Sequence, residues 1–306
     1  MSASPGVAEF GSALFPTQCR ELSDGESVLE SPSLMRRVGW MMTNPWKNTL
    51  LPAALLRSLM SRSRSPLIAE SLARPGGWRA MEIIYAQAPA VDWLDRQALY
   101  DNPVCMAARN RRRIVTGILT QLLAEAPADH PITMLGVGAG PGRHIQTAIA
   151  HSGLPPERIQ AYLIDRDDDA FRYGRDISSH LGTSACVRFI QGDARQIRET
   201  LPDVSASIVK VVGLAEYLND QEFVGLFSAL REVMAPHGTL VTHGFVDYRR
   251  SGQFLSRVFQ LRHTQRNEVQ MRSLLSAAGF RVTSCVTEPV RIHPILTAVR
   301  TADGAF

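Results

Sequence analysis

The sequence predicts an α/β chain: a doubly wound, mostly parallel sheet of seven strands, antiparallel at its terminal strand, with helices added at the N-terminal side. Three observations predict it. From residue 131 onward, short apolar runs alternate with helical patterns, the runs covering 132–137, 161–165, 187–192, 207–213, 238–244, 281–287 and 295–299. Strands separated by helix-length segments pair in parallel through crossover helices. A glycine-rich run, Leu135-Gly136-Val137-Gly138-Ala139-Gly140-Pro141-Gly142, directly follows the first strand and precedes a helix. The last two runs lie too close together for a crossover helix, which predicts a terminal hairpin.

Each element has its own reason. Residues 1–30 are rich in Ser, Gly, Glu and Pro without a sustained period, and are expected to be loosely draped. Within 31–105, Leu50, Leu51, Ala54, Leu55 and Leu59 recur at helical spacing, as do Ala80, Ile83 and Ile84. Pro66, Pro75-Gly76-Gly77 and Pro89 break the pattern into short pieces. Such pieces need a larger body to pack on, so this segment is expected to fold as a lid over the carboxyl edge of the sheet. Residues 106–306 are the expected catalytic domain. Its first helix, near 106–125, carries the stripes Ile114, Ile118, Leu122 and Val115, Leu119, Leu123. Arg109, Arg111, Arg112 and Arg113 precede these stripes without interleaved aromatics, so they are expected on a solvated helix face. Further helices are expected near 143–150, 168–181, 221–234 and 266–278.

Composition narrows the function classes. The chain has 306 residues, 45% apolar and 20% charged, so it can bury a sizeable core. Its net charge of +4 is spread along the sequence and supports no nucleic-acid partner. Cys19, Cys105, Cys186 and Cys285 are far apart and lack metal-ligand spacing, so they are expected as small apolar residues and no metal site is expected. The first residues lack a basic and apolar leader pattern. Pro45, Lys47, Pro52 and Arg57 interrupt the most apolar stretch, 40–60, so no spanning helix is expected. A cytoplasmic protein without a membrane partner is the expectation; the oligomeric state is left open.

The chemistry lies at the strand ends. Glycines after the first strand let the backbone turn tightly and approach a ligand. The spacing departs from the dinucleotide fingerprint and lacks the Lys-Ser/Thr of a P-loop, which favours a ligand without a pyrophosphate. The second strand ends at Asp165, a carboxylate placed to accept from two ribose hydroxyls. Asp167, Asp168 and Asp169 are expected to cap the helix that follows. The third strand runs into Gly192-Asp193-Ala194, where a carboxylate can receive an adenine amino group. The fourth runs into Val212-Gly213-Leu214-Ala215-Glu216-Tyr217-Leu218.

These four motifs, in this order, resemble those of class I S-adenosylmethionine-dependent methyltransferases over roughly residues 106–300. The resemblance implies a Rossmann-like fold and S-adenosylmethionine as cofactor. It implies that Gly136, Gly138 and Gly140 line the methionine part, Asp165 holds the ribose, Asp193 and Ala194 lie at the adenine, and Gly213 and Leu214 offer backbone groups. The spacer between Gly140 and Asp165 is longer than usual. Methyl transfer to a small molecule of secondary metabolism is the leading expectation. No amino-methylating signature follows the fourth strand. Tyr85, Glu216, Tyr217 and His243 are the candidate catalytic residues, with Trp78 expected mainly in packing. More weakly the chain is similar to azetidine-2-carboxylate synthases, in which S-adenosylmethionine is itself the substrate and methylthioadenosine leaves, and more faintly to nicotianamine-type aminocarboxypropyl transferases. A non-catalytic cofactor-binding module is a third reading, which the intact glycines and Asp165 weigh against.

Overall fold

The computed structural model describes residues 29–127 and 130–301, the side chains at 98 and 99 excepted. Strands β1 (Ile132–Val137), β2 (Ile159–Asp165), β3 (Val187–Gln191), β4 (Ala206–Val211), β5 (Met234–His243), β6 (Phe280–Thr287) and β7 (Pro294–Arg300) form one seven-stranded sheet ordered β3-β2-β1-β4-β5-β7-β6. The first five pair in parallel. β7 runs antiparallel between β5 and β6, as the short final spacing predicts. The order reverses between β1 and β4, so their carboxyl ends diverge into the crevice where open α/β sheets take ligands.

Both faces of the central strands are covered, which is why β1 and β4 read as nearly unbroken apolar runs. On the N-terminal side lie α1 (Leu34–Pro45), α2 (Ala53–Met60), α3 (Pro66–Ala73), α4 (Trp78–Ala86), the single turn α5 (Trp93–Asp95) and the long α6 (Pro103–Ala124). The sheet's helices are α7 (Arg143–His151), α8 (Asp168–Leu181), the short α9 (Ile197–Thr200), α10 (Asp220–Glu232), α11 (Ser251–Phe259) and α12 (Glu268–Ala277). Val115, Leu119 and Leu123 of α6 are fully buried with Ile145 and Ile149 of α7 on one face of the sheet. Phe223 and Phe227 of α10 and Leu275 of α12 fill the other. The long spacer before Asp165 is absorbed by a 3₁₀ turn at Pro156–Arg158 and by two extra strand residues, so β2 still ends at Asp165.

Several expectations are corrected. β2 starts at Ile159 and β5 at Met234, earlier than their apolar runs: β2 pairs on through Gln160, and β5 meets β4 again at Met234 beyond a register shift. α6 starts at Pro103, where Asn102 caps it by accepting from the Val104 amide. Helix α11 lies in a stretch with no expected element. Its Phe254, Val258 and Phe259 form a separate cluster with Leu56, Met60 and Ile68, so α2 and α3 pack on this helix. Arg109 and Arg111 are buried rather than solvated: Arg109 pairs with Glu30 at 2.6 Å and Arg111 faces Glu216. Glu30 also takes Arg113 at 2.8 Å, so the chain is anchored at that residue; residues 1–28, on which the expectation of a loosely draped segment and the reading of Cys19 fall, lie outside the described residues. Cys105 and Cys186 are buried and Cys285 half-buried, all three as free thiols.

Candidate active site

The turn from β1 into α7 is shaped by its glycines. A Cβ at Gly136 would meet Ile145 and Leu163 within 3 Å, so this glycine seats α7 tightly on the sheet. Gly138 adopts φ of 57°, in the left-handed region, with Leu214 directly against it. The Asp165 carboxylate locks this turn, accepting from the Gly140 amide at 2.7 Å and the Asp167 amide at 3.1 Å. Asp167 caps α8 through the Asp169 amide and also accepts from the Trp78 indole N–H at 2.9 Å. Trp78, expected chiefly as packing, stacks on Tyr173 and ties the start of α4 to the strand ends.

A cavity of about 490 Å³ opens along these strand ends. Its outer end holds Asp165, Asp193 and Ala194; Gly138, Gly140, Gly213 and Leu214 line its middle. Asp193 is clasped by Arg195 at 2.7 Å and by Arg166. Those hydrogen bonds, from Arg195 first, outweigh partial burial and hold its carboxyl far below the usual range. Gly136 does not line the cavity, because its space is taken by helix packing.

The inner end is different. α4 supplies Met81, Glu82 and Tyr85, α6 supplies Arg111, α7 supplies Arg143 and His144, and β4 supplies Lys210. Glu82 is buried and accepts from the Arg143 Nε at 2.6 Å, joining α4 to α7. Lys210 is buried with its ammonium donating to the Val212 carbonyl at 3.1 Å. Burial pushes its pKa down to about 8, helped by Arg111. His144 lies edge-on to Tyr85 at 5.9 Å, and its Nε2 has no hydrogen-bond partner. Burial, then Lys210, Arg111, Arg112 and Arg143, hold this imidazole neutral, well below its ordinary pKa. Tyr85 is shielded from bulk water, which raises its hydroxyl pKa; Arg111 partly offsets this.

Of the expected catalytic residues, Tyr85 and Tyr217 line the cavity, and Glu216 and His243 do not. Those two stand behind Arg111. Its Nη1 lies 3.0 Å from His243 Nε2 and 3.4 Å from Glu216 Oε1, while its Nε has no partner. His243 Nε2 also accepts from the Gly213 amide at 3.2 Å, and its Nδ1 lies 2.8 Å from the Gly244 carbonyl. The same Nε2 lies 3.3 Å from Glu216 Oε2, so His243 joins Arg111 and Glu216 in one buried cluster. Burial alone would raise the Glu216 carboxyl; the His243 ring and the Arg111 guanidinium outweigh it and hold it well below its ordinary pKa.

Arg111, His144 and Lys210 were not expected at the site. Two had a signal. Arg111 lies four residues before Val115, in register with the buried stripe at 115, 119 and 123, and Lys210 interrupts an otherwise apolar strand. His144 had none beyond following the glycine run. Among the described residues, no group of three or more His, Cys, Asp or Glu side chains could hold a metal ion.

A family model, Methyltransf_20 ("Putative methyltransferase"), matches residues 86–300. The chain belongs to this methyltransferase family. S-adenosylmethionine is therefore its cofactor. The fold is shared with solved structures of low identity. A "possible exported protein" from Bordetella parapertussis is 17% identical with a TM-score of 0.67, covering 92% of this chain and 100% of its own. Magnesium protoporphyrin IX methyltransferase (ChlM) from Synechocystis PCC 6803, with bound S-adenosylhomocysteine, is 16% identical with a TM-score of 0.54, covering 78% and 100%. The CurJ carbon methyltransferase is 16% identical with a TM-score of 0.56, covering 82% and 70%. A search of curated protein sequences finds no match. The S-adenosylmethionine-dependent methyltransferase fold expected from the motifs is the fold found.

Proposed function

We propose that this methyltransferase acts on a small acceptor held at the inner end of the cavity, beneath α4. The observation that carries the reading is the division of one cavity into two chemically different ends. The outer end offers carboxylates to hydroxyl and amino donors. The inner end offers buried cations, tyrosine hydroxyls and one neutral imidazole.

The residues present fit the cofactor. Asp165 would hold the ribose, and Asp193 with Ala194 would lie at the adenine. Gly138, Gly140, Gly213 and Leu214 would flank the methionine chain; no atom lies within 4 Å of where a Gly213 Cβ would stand. Arg111, with its Nε unpartnered, and Lys210 would face the amino-acid carboxylate. When bound, S-adenosylmethionine supplies an electrophilic methyl group on a sulfonium sulfur. The protein's part is to position the acceptor, exclude water and take up a proton. His144, neutral and with Nε2 free, would accept the acceptor's proton. Tyr85 and Tyr217 would orient the acceptor by hydrogen bonds, and Glu216 and His243 would position Arg111. The segment 31–105 would act as the lid, with α4 pinned over the site by Glu82–Arg143 and Trp78–Asp167.

The test incubates the purified protein with S-adenosylmethionine alone, then with a panel of small acceptors, and identifies products by mass spectrometry. No turnover alone, and S-adenosylhomocysteine once an acceptor is added, is the expected result. Methylthioadenosine with azetidine-2-carboxylate, formed from S-adenosylmethionine alone, would overturn it in favour of cyclisation.

A further inference from the structure

The outer side of the N-terminal helices carries a chemistry that the cavity does not use. Along α1, Leu34, Val38, Met41 and Met42 form an exposed stripe, with Met35 beside it at 86% exposure. Leu51, just before α2, and Leu55 and Leu59 on it recur every fourth residue and are exposed as well. Trp46 and Leu50, in the single π-helical turn between the two helices, are exposed at 65% and 62%. Trp40, Leu56 and Met60 turn inward instead. Scattered exposed apolar residues are ordinary; a run of this length on consecutive elements marks an interaction surface.

The charges on this segment have one sign. From residue 31 to residue 69 the ionisable side chains are Arg36, Arg37, Lys47, Arg57, Arg62 and Arg64, and no Asp or Glu occurs. Arg37, Arg62 and Arg64 are exposed. Arg36 takes its acidic partner, Asp101, from elsewhere in the chain. A self-complementary contact between two copies would set this basic face against itself, which like-charge repulsion opposes. No helix among the described residues is long and apolar enough to cross a membrane. An apolar stripe with an exposed tryptophan and basic residues alone is the pattern of a segment lying in a membrane interface.

We propose that α1, the π-helical turn and α2 dock this protein on an anionic lipid surface, with the methionines and leucines entering the headgroup layer and the arginines at the phosphates. The inference does not depend on the proposed reaction. It is tested on the full chain by sedimentation with vesicles of equimolar phosphatidylglycerol and phosphatidylcholine, against phosphatidylcholine alone, at low and high salt. Binding at least about tenfold tighter to the anionic vesicles, and weakened by salt, is expected. Met42→Glu with Leu55→Glu should lower it at least about tenfold while cofactor affinity by calorimetry is unchanged. Arg62→Gln with Arg64→Gln, which leaves the apolar stripe intact, should lower it about tenfold. The proposal is overturned by absent binding, by equal binding to both vesicles, or by a solution dimer that the glutamate variant splits.

Discussion

The two ends of the cavity solve the problem of charge differently. At the outer end, Asp165 and Asp193 lie at strand ends, and each takes one donor from two residues on and one from a neighbouring strand end: the Asp167 and Gly140 amides for Asp165, Arg195 and Arg166 for Asp193. At the inner end the pairs span the chain. Glu82 meets Arg143, Arg111 meets Glu216, and Lys210 has only a carbonyl. Partners that sit on the strand-end motifs themselves make the outer end a property of those motifs and of the parallel pairing that sets them side by side. Distant partners make the inner end a property of how α4, α6 and α7 pack, and leave buried cations that a bound anion would neutralise.

The largest expected effect falls on the inner end. Glu82→Ala leaves Arg143 buried without its carboxylate and should cost about 3–5 kcal/mol of stability, read by urea denaturation. A loss under 1 kcal/mol would mean that the contact from Tyr173 suffices for Arg143. At the outer end, Asp165→Ala removes the expected ribose acceptor and frees the Gly140 turn. Cofactor affinity should fall roughly 100-fold by calorimetry, about 3 kcal/mol. Unchanged affinity would break the assignment of the outer end.

The smallest effect is in pH. Burial, the largest cause for each, holds the imidazoles of His144, His263 and His293 below their ordinary pKa in the fold. The unfolded chain takes up these protons near pH 6.5 and the folded chain does not. Stability from this source is therefore complete above about pH 6.5 and declines as pH falls below it, by up to about 1.4 kcal/mol per pH unit for each imidazole. Thermal unfolding between pH 7.5 and 5.5, read as pH values about one unit either side of 6.5, should show that slope, and His144→Asn should reduce it. A slope unchanged in the variant would mean that His144 is already protonated in the fold. Glu216 adds a separate loss at lower pH: its carboxyl is held below the ordinary value, so its stability is lost as pH falls from about 4.5 through the folded value.

The mostly parallel seven-stranded sheet, the strand that ends at Asp165, the capping carboxylates at 167–169 and the terminal hairpin were all legible in the sequence, because each depends on periodicity or on residues adjacent in the chain. Helix α11 was not legible. Its apolar residues find partners on α2, α3 and α5, far away in the chain. The same limit separates the candidate residues. Tyr85 and Tyr217 reach the cavity, whereas Glu216 and His243, on equally suitable strand ends, are taken up by Arg111.

By itself, then, the sequence determined the fold, the cofactor class and which residues line the outer half of the cavity, since glycine turns and strand-end carboxylates act where the chain places them. Only the tertiary structure decided the inner half, which face of α2 is buried, and which arginines leave water. A guanidinium in a helix is solvated or buried according to whether a carboxylate from another element is there to meet it; the register that Arg111 shares with the buried stripe marks its face of the helix but not the partner that meets it.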